Sequence, residues 1–228
     1  MNCIYLPGLI REKRDFQIPQ DEIKHIKALR IGNEEKVIVT NGKGLSAKGN
    51  VNIIKKSESV FYPDGFYDNQ GENSFRLALA MGILDNKERF EFAFEKAVEL
   101  GINEYFPLIT NHTQRKKVNK ERLIAKSISA MKQCCRSVLP IIYSPVTIEQ
   151  LFQDNDKYER IILADFNGMR ADELKNNVST LVIVGPEGGF SREEIELMKR
   201  DNRLISINLG NRRLRAETAA IVALGLLI

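Results

Sequence analysis

The rhythm of apolar and polar positions changes near residue 70. Before that point, period-two runs dominate. Residues 3–6 form a short apolar run, residues 35–40 alternate around Val37 and Val39, and residues 45–55 and 59–66 carry further strand-like runs. Alternation of this kind belongs to strands with one buried face. One stretch differs: Ile23, Ile26 and Leu29 recur at helical spacing within residues 20–30, and Gly32 follows as a stop. Asn41-Gly42 predicts a hairpin turn, because both residue types tolerate positive φ. Residues 67–73, Tyr-Asp-Asn-Gln-Gly-Glu-Asn, are polar and aperiodic, which predicts a boundary between a first domain over 1–70 and a second over 74–228.

Beyond the boundary, strands and helices alternate. Residues 75–80, 104–109, 140–143, 160–164, 181–184 and 204–207 are short apolar strands. Between them lie predicted helices at 86–100, 119–137, 148–153, 191–200 and 216–228. The first of these carries Phe90, Phe94, Ala97 and Val98 on one face, and Gly101 ends it. This order predicts an α/β domain with a mostly parallel sheet covered on both faces. Ligands of such sheets bind at the carboxyl ends of the strands.

Composition narrows the classes. With 228 residues, 43% of them hydrophobic, the chain can bury a core in one or two domains. A net charge of +4 is compatible with a nucleic-acid partner and equally with an ordinary basic enzyme. Three cysteines, Cys3, Cys134 and Cys135, give no disulfide framework and no Cys-x-x-Cys pair. His25 and His112 lie far apart in sequence, so no metal site is expected. A reduced, cytoplasmic compartment fits this cysteine usage. Residues 1–10 lack the features of a signal peptide. The longest apolar stretch, 219–228, is shorter than the ~20 residues of a membrane span, so no membrane association is expected.

Two segments carry candidate chemistry. In the first, the strand Val182-Ile183-Val184 runs into Gly185-Pro186-Glu187-Gly188-Gly189-Phe190-Ser191. Glycines let a backbone approach a ligand closely, and free N–H groups of such a turn can bind polar ligand atoms. The alternative is a tight turn that only starts a helix, with Ser191 as N-cap and Glu194 completing a capping box. Gly-Lys-Ser/Thr and Gly-x-Gly-x-x-Gly are both absent, so neither a phosphate-binding loop nor a dinucleotide fingerprint is present. The second segment is Asn208-Leu209-Gly210-Asn211-Arg212-Arg213-Leu214-Arg215-Ala216-Glu217-Thr218. Its three arginines either meet a phosphate or carboxylate or are a solvated basic loop. Glu217 in the first helical turn also complements the helix dipole.

As a pair, these segments resemble those of the SPOUT methyltransferases, and specifically the RsmE family, which methylates N3 of a uridine in 16S ribosomal RNA. Supporting matches are Arg89, the run Glu95-Lys96-Ala97-Val98-Glu99-Leu100-Gly101, Pro107-Leu108, Gln133 with Pro140, and in the first domain His25, Ala28-Leu29-Arg30 and Gly32. Lys132, Cys135, Asp85-Asn86 and Ala216 depart from the family's pattern. The resemblance implies a small PUA-like β-barrel followed by a SPOUT-type parallel sheet with a C-terminal trefoil knot. It implies S-adenosylmethionine as cofactor, held by Leu163, Val184, Gly185, Pro186, Glu187, Gly188, Ile207, Asn208, Leu209, Leu214 and Thr218. Arg215, then Arg136, are expected to stabilise a uracil anion, with Glu217 as base or as orienter of Arg215. Arg30, Arg89, Arg115, Lys116, Gln133 and Arg212 are expected to contact RNA. The implied partners are 16S rRNA or the small ribosomal subunit and a second copy of the chain. Three other readings remain open at this level: a methyltransferase acting on another rRNA base or a tRNA, a non-catalytic ribosome assembly factor, and a nucleotide-binding enzyme without a phosphate loop.

Overall fold

In the computed structural model, described over residues 1–55, 57–153, 156–170, 174 and 177–228, the chain separates into two compact units. The first comprises Met1–Glu72 and Ile128–Leu139, and the second Asn73–Ser127 and Pro140–Ile228. No helix among the described residues is long and apolar enough to cross a membrane.

The first unit is a five-stranded sheet built from β1 (Cys3–Tyr5), β2 (Phe16–Gln17), β3 (Glu35–Thr40), β4 (Leu45–Lys55) and β5 (Glu58–Asp68), in the order β1-β3-β4-β5-β2. β1 runs parallel to β3 and the remaining pairs are antiparallel. The expected small barrel takes the form of a curled sheet whose strands all feed one core. Ile4, Phe16, Val37, Val39, Ala47, Val51 and Phe61 pack there with Ile23 and Ile26 of helix α1 (Gln20–Ala28). The turn at Asn41-Gly42 is longer than expected. β3 stops at Thr40 and β4 starts at Leu45, and Asn41 Oδ1 accepts from the backbone N–H groups of Lys43 and Leu45 at 2.8 and 3.1 Å. The positive φ values fall on Gly42 and Gly44, while Asn41 acts through its side chain.

The long helix α3 (Lys120–Cys134) begins in the second unit, and its second half belongs to the first. It stops three residues earlier than its apolar spacing predicts, because Cys135 takes a left-handed φ of 57°. Arg136 follows, fully buried. Its Nε and Nη2 donate to Glu72 Oε2 at 3.1 and 2.6 Å, and the backbone N–H groups of Ser137 and Val138 donate to Glu72 Oε1 at 2.9 Å each. Arg136 thereby fastens residues 136–138 to the end of the first segment. The sequence boundary near residue 70 misses this return of the chain, because the ion pair joins residues 64 apart.

The second unit is a six-stranded, wholly parallel sheet in the order β11-β9-β10-β6-β7-β8. Its strands are β6 (Leu77–Gly82), β7 (Glu104–Leu108), β8 (Ile141–Ile142), β9 (Arg160–Arg170), β10 (Thr180–Val184) and β11 (Leu204–Asn208). Every residue of β6, β7 and β10 is buried, and apart from Glu104 and Thr180 at the starts of β7 and β10 their residues are apolar or small, as expected where helices cover both faces. On one face Ala78, Ala80, Phe106, Ile161, Leu163, Leu181 and Ile183 pack with Ile148 and Leu151 of α4 (Ile148–Gln153) and Met198 of α5 (Arg192–Met198). Helices α2 (Lys87–Glu99) and α6 (Ala216–Gly225) pack on each other, and α6 also contacts β10 and β9.

β9 extends six residues past its predicted end. Asp165-Phe166-Asn167-Gly168 carries no strand periodicity, and only pairing with β11 makes the extension a strand. Ser206 pairs with Leu163, but the next residue, Ile207, pairs with Met169. Residues 164–168 therefore bulge out of the ladder at the carboxyl edge. There the two backbones touch: a Cβ on Gly168 would lie 2.5 Å from the Ile207 nitrogen, so only glycine fits.

Replacing Glu72 with alanine should leave the buried Arg136 guanidinium without its carboxylate. The expected loss is about 3 kcal/mol, read from the midpoint of urea unfolding, whereas Asp21→Ala, at an exposed position of helix α1, should cost less than about 0.5 kcal/mol.

Candidate active site

The bulge of β9 over residues 164–168 and the loops that follow β10 and β11 meet at the carboxyl edge of the sheet. After β10, the turn from Gly185 to Gly189 closes with a hydrogen bond from the Gly189 N–H to the Pro186 carbonyl at 2.9 Å, with Gly189 at φ 71°. Ser191 then caps α5 through the capping box anticipated from sequence: its N–H donates to Glu194 Oε2 at 2.7 Å and its Oγ accepts from the Glu194 N–H at 3.2 Å. The turn also rests on the end of β6, where a Cβ on Gly82 would come within 2.3 Å of Pro186 Cδ. After β11, Asn208 fixes the second bend. Its Oδ1 accepts from the Gly210 N–H at 2.8 Å, and its Nδ2 donates to the Phe166 carbonyl in the β9 bulge at 2.7 Å.

These loops enclose a cavity of about 760 Å³. Leu163, Val184, Ile207, Leu209, Leu214, Ala216, Ala219, Phe166 and Phe190 supply apolar wall, while Gly185, Gly189 and Gly210 leave backbone atoms uncovered. The size lies within the roughly 300–1,000 Å³ of small-molecule sites. Such a lining accepts a flat apolar ring whose polar edge bonds to main chain. Arg89, Arg212, Arg213 and Arg215 add positive charge suited to an anionic group.

One ion-pair system joins the two bends. Arg89, on the first turn of α2, donates from Nε and Nη2 to the two carboxylate oxygens of Glu217 at 2.8 and 2.7 Å. Its Nη1 lies 3.6 Å from Glu187 Oε1 in the glycine turn. The hydrogen bonds from Arg89 hold the Glu217 carboxyl below the ordinary glutamate range, with Arg215 contributing through space. A carboxylate so occupied is a poor proton acceptor, and the partner it orients is Arg89 rather than Arg215.

Of the residues expected to hold a cofactor, Leu163, Val184, Gly185, Pro186, Glu187, Ile207, Asn208, Leu209 and Leu214 line this cavity. Gly188 does not; it lines a smaller neighbouring recess instead. Thr218 is exposed on α6 and lines neither. Arg215 lines the cavity, Glu217 stands behind Arg89, and Arg136 belongs to the first unit and is not among the lining residues. Arg89 and Arg212, expected at RNA, line the cavity. Arg115 is held against the Leu84 carbonyl and over the Phe90 ring, Lys116 is exposed beside it, and Arg30 and Gln133 are exposed on the first unit. Sequence reasoning missed Phe166 and Phe190 as wall. Phe190 stood inside the quoted glycine motif and was legible there. Phe166 carried no signal, since only the bulge in β9 turns it to the cavity.

The chain is similar to known proteins over nearly its whole length. The family model described as RNA methyltransferase domain matches residues 71–228, and that of the RNA methyltransferase PUA domain matches residues 18–60. The ribosomal RNA small subunit methyltransferase E of Rickettsia conorii is 31% identical over 236 residues, covering 98% of this chain and 93% of that protein. Its counterpart from Mesomycoplasma hyopneumoniae is 31% identical over 232 residues, covering 94% and 95%. A putative methyltransferase from Legionella pneumophila, solved in complex with the bound cofactor SAM, aligns with a TM-score of 0.83 at 28% identity, covering 98% of this chain and 95% of that one. A probable rRNA methyltransferase from Porphyromonas gingivalis gives 0.85 at 27% identity, covering 99% and 96%.

Because the folded pKa of Glu217 is depressed, its pairing stabilises the fold above the ordinary value of 4.5 and loses that effect as pH falls through the lower folded value. Arg89→Met should therefore lower stability by about 1–2 kcal/mol at neutral pH, and the gap to wild type should close progressively below pH 4.5 in urea titrations.

Proposed function

The chain belongs to the ribosomal RNA small subunit methyltransferase E family, and on that footing we propose that it transfers the methyl group of S-adenosylmethionine to N3 of a uridine in 16S rRNA. The observation that carries the reading is the single cavity that the glycine turn after β10 and the arginine bend after β11 share with the bulge of β9. Its lining suits the cofactor: leucine, isoleucine and phenylalanine side chains beside an adenine, free main-chain groups for its edge, and Arg213 for its carboxylate. The sulfonium supplies an already activated methyl group. Leu163, Val184, Gly185, Pro186, Glu187, Ile207, Asn208, Leu209 and Leu214 are the proposed cofactor contacts. Gly188 and Thr218 are kept as supports of that site rather than walls.

The protein's own part is positioning and charge. Uridine N3 must shed a proton before it attacks, and the anion that forms spreads over the flanking carbonyl oxygens. Arg215, exposed at the entry to α6 and lining the cavity, is the cation proposed to stabilise it. Arg212, Arg115, Lys116, Arg30 and Gln133 are the proposed RNA contacts, with residues 1–70 as an RNA-binding module. Charge contacts of this kind would make binding fall steeply with salt. A trefoil-knotted path of the C-terminal segment is part of the same proposal. A homodimer is proposed as the working form: α6 buries Ala220, Ala223 and Leu224 and leaves Leu226 exposed beside Ile228. A cytoplasmic location is part of the same proposal.

Mass spectrometry of 16S rRNA from cells lacking the gene should show one 3-methyluridine missing, and purified protein with S-adenosylmethionine should restore it. An unchanged 3-methyluridine content would remove the substrate assignment. Arg215→Ala should lower kcat about 100-fold while cofactor affinity, measured by calorimetry, stays within about threefold.

A further inference from the structure

Methylation at N3 needs a group that takes the N3 proton, and the bidentate pairing of Glu217 with Arg89 leaves that place open. Next to the large cavity lies a recess of about 540 Å³ lined by Asp85, Asn111, His112, Thr113, Gln114 and the Glu187-Gly188 turn. Glu187 lines both spaces, so the recess and the cavity lie on two sides of the same glycine turn.

His112 sits on the loop between β7 and α3, which is held rigidly for an exposed segment. The Asn111 N–H donates to Glu194 Oε1 at 2.8 Å, Asn111 Nδ2 donates to Ser191 Oγ at 3.0 Å, and the Thr110 N–H donates to Thr113 Oγ1 at 2.9 Å. Arg115 anchors the next turn through Nε and Nη2 to the Leu84 carbonyl at 3.3 and 3.2 Å. The imidazole lies against the glycine turn: a Cβ on Gly188 would be 2.7 Å from His112 Cβ, so the approach depends on that glycine. His112 Nδ1 is 3.3 Å from the Gly189 carbonyl oxygen. A carbonyl only accepts, so Nδ1 carries the hydrogen in this contact. In the neutral ring Nε2 is then a bare acceptor on an exposed residue.

We propose that this recess receives the target uracil and that His112 Nε2 is the base that takes its N3 proton, a proposal that rests on the methyltransferase reading above. The N3–H bond breaks and its proton goes to Nε2. The N3 electron pair forms the bond to the methyl carbon, and the carbon–sulfur pair leaves with the neutral thioether. The imidazolium later returns its proton to water. Asp85 from the segment before α2 and Glu187 from the turn, the latter 3.6 Å from Arg89 Nη1, are the carboxylates that line the recess, and Glu194 of α5 is bonded to the loop backbone. Gln114 and Asn111 place amides beside a ring whose edge offers two carbonyl oxygens and one N–H.

The test uses the full chain with small ribosomal subunits as substrate. His112→Ala should lose about 100-fold in kcat, as expected for removal of a general base, while cofactor affinity by calorimetry stays within about twofold. Imidazole added to the buffer should restore much of the rate. Independently of activity, the wild-type protein labelled with ¹⁵N-histidine has only two rings to assign, and His112 should appear with its proton on Nδ1. Wild-type kcat in His112→Ala, a loss that imidazole does not restore, or a proton resting on Nε2 would each overturn the proposal. Wild-type protein that binds no S-adenosylmethionine would overturn the methyltransferase reading instead.

Discussion

The guanidinium of Arg89 links parts of the chain that sequence keeps well apart. It takes both oxygens of Glu217 at the start of α6 and reaches toward Glu187 in the turn after β10, joining residues 128 positions apart in the first contact. The cavity depends on this link, because the turn and the bend supply most of its lining and neither is a regular element with a hydrogen-bond ladder of its own. One planar cation that forks onto a carboxylate fixes direction as well as distance, which a lysine would not. It also accounts for the chemistry that Glu217 does not do: a carboxylate bound on both oxygens has little affinity left for a proton.

Around that link, close backbone contact does what side chains cannot. Gly82 lets the end of β6 meet Pro186, Gly168 lets the β9 extension touch β11, and Gly188 lets His112 lie against the turn. Each contact would be blocked by a single methyl group. The bulge and the two loops thus form one continuous wall, with Asn208 tying the last of them to the β9 bulge. A wall built this way suits a reaction in which the protein contributes mainly placement and electrostatics.

Much of this was legible in the chain. The alternation of buried apolar runs with amphipathic helices identified the parallel sheet, because strands covered on both faces have no choice but to be apolar throughout. The two bends stood out because glycine, proline and clustered arginine are rare in regular elements. What escaped was whatever depends on pairing between distant segments. The last six residues of β9 are a strand only through β11, so Phe166 could not be assigned to the cavity. Arg136 read as a free cation because Glu72, 64 residues earlier, is silent in any local window.

By itself the sequence determined where the backbone must be buried, where it must turn, and which residue types gather at the carboxyl edge of the sheet, since each follows from local periodicity and local sterics. Only the tertiary structure decided which charges are spent on each other and which stay available: Arg89 on Glu217, Arg136 on Glu72, while Arg212, Arg213 and Arg215 remain exposed along the cavity. Ion pairing falls off with distance in space and is blind to distance along the chain, so no reading of neighbours in sequence reveals it.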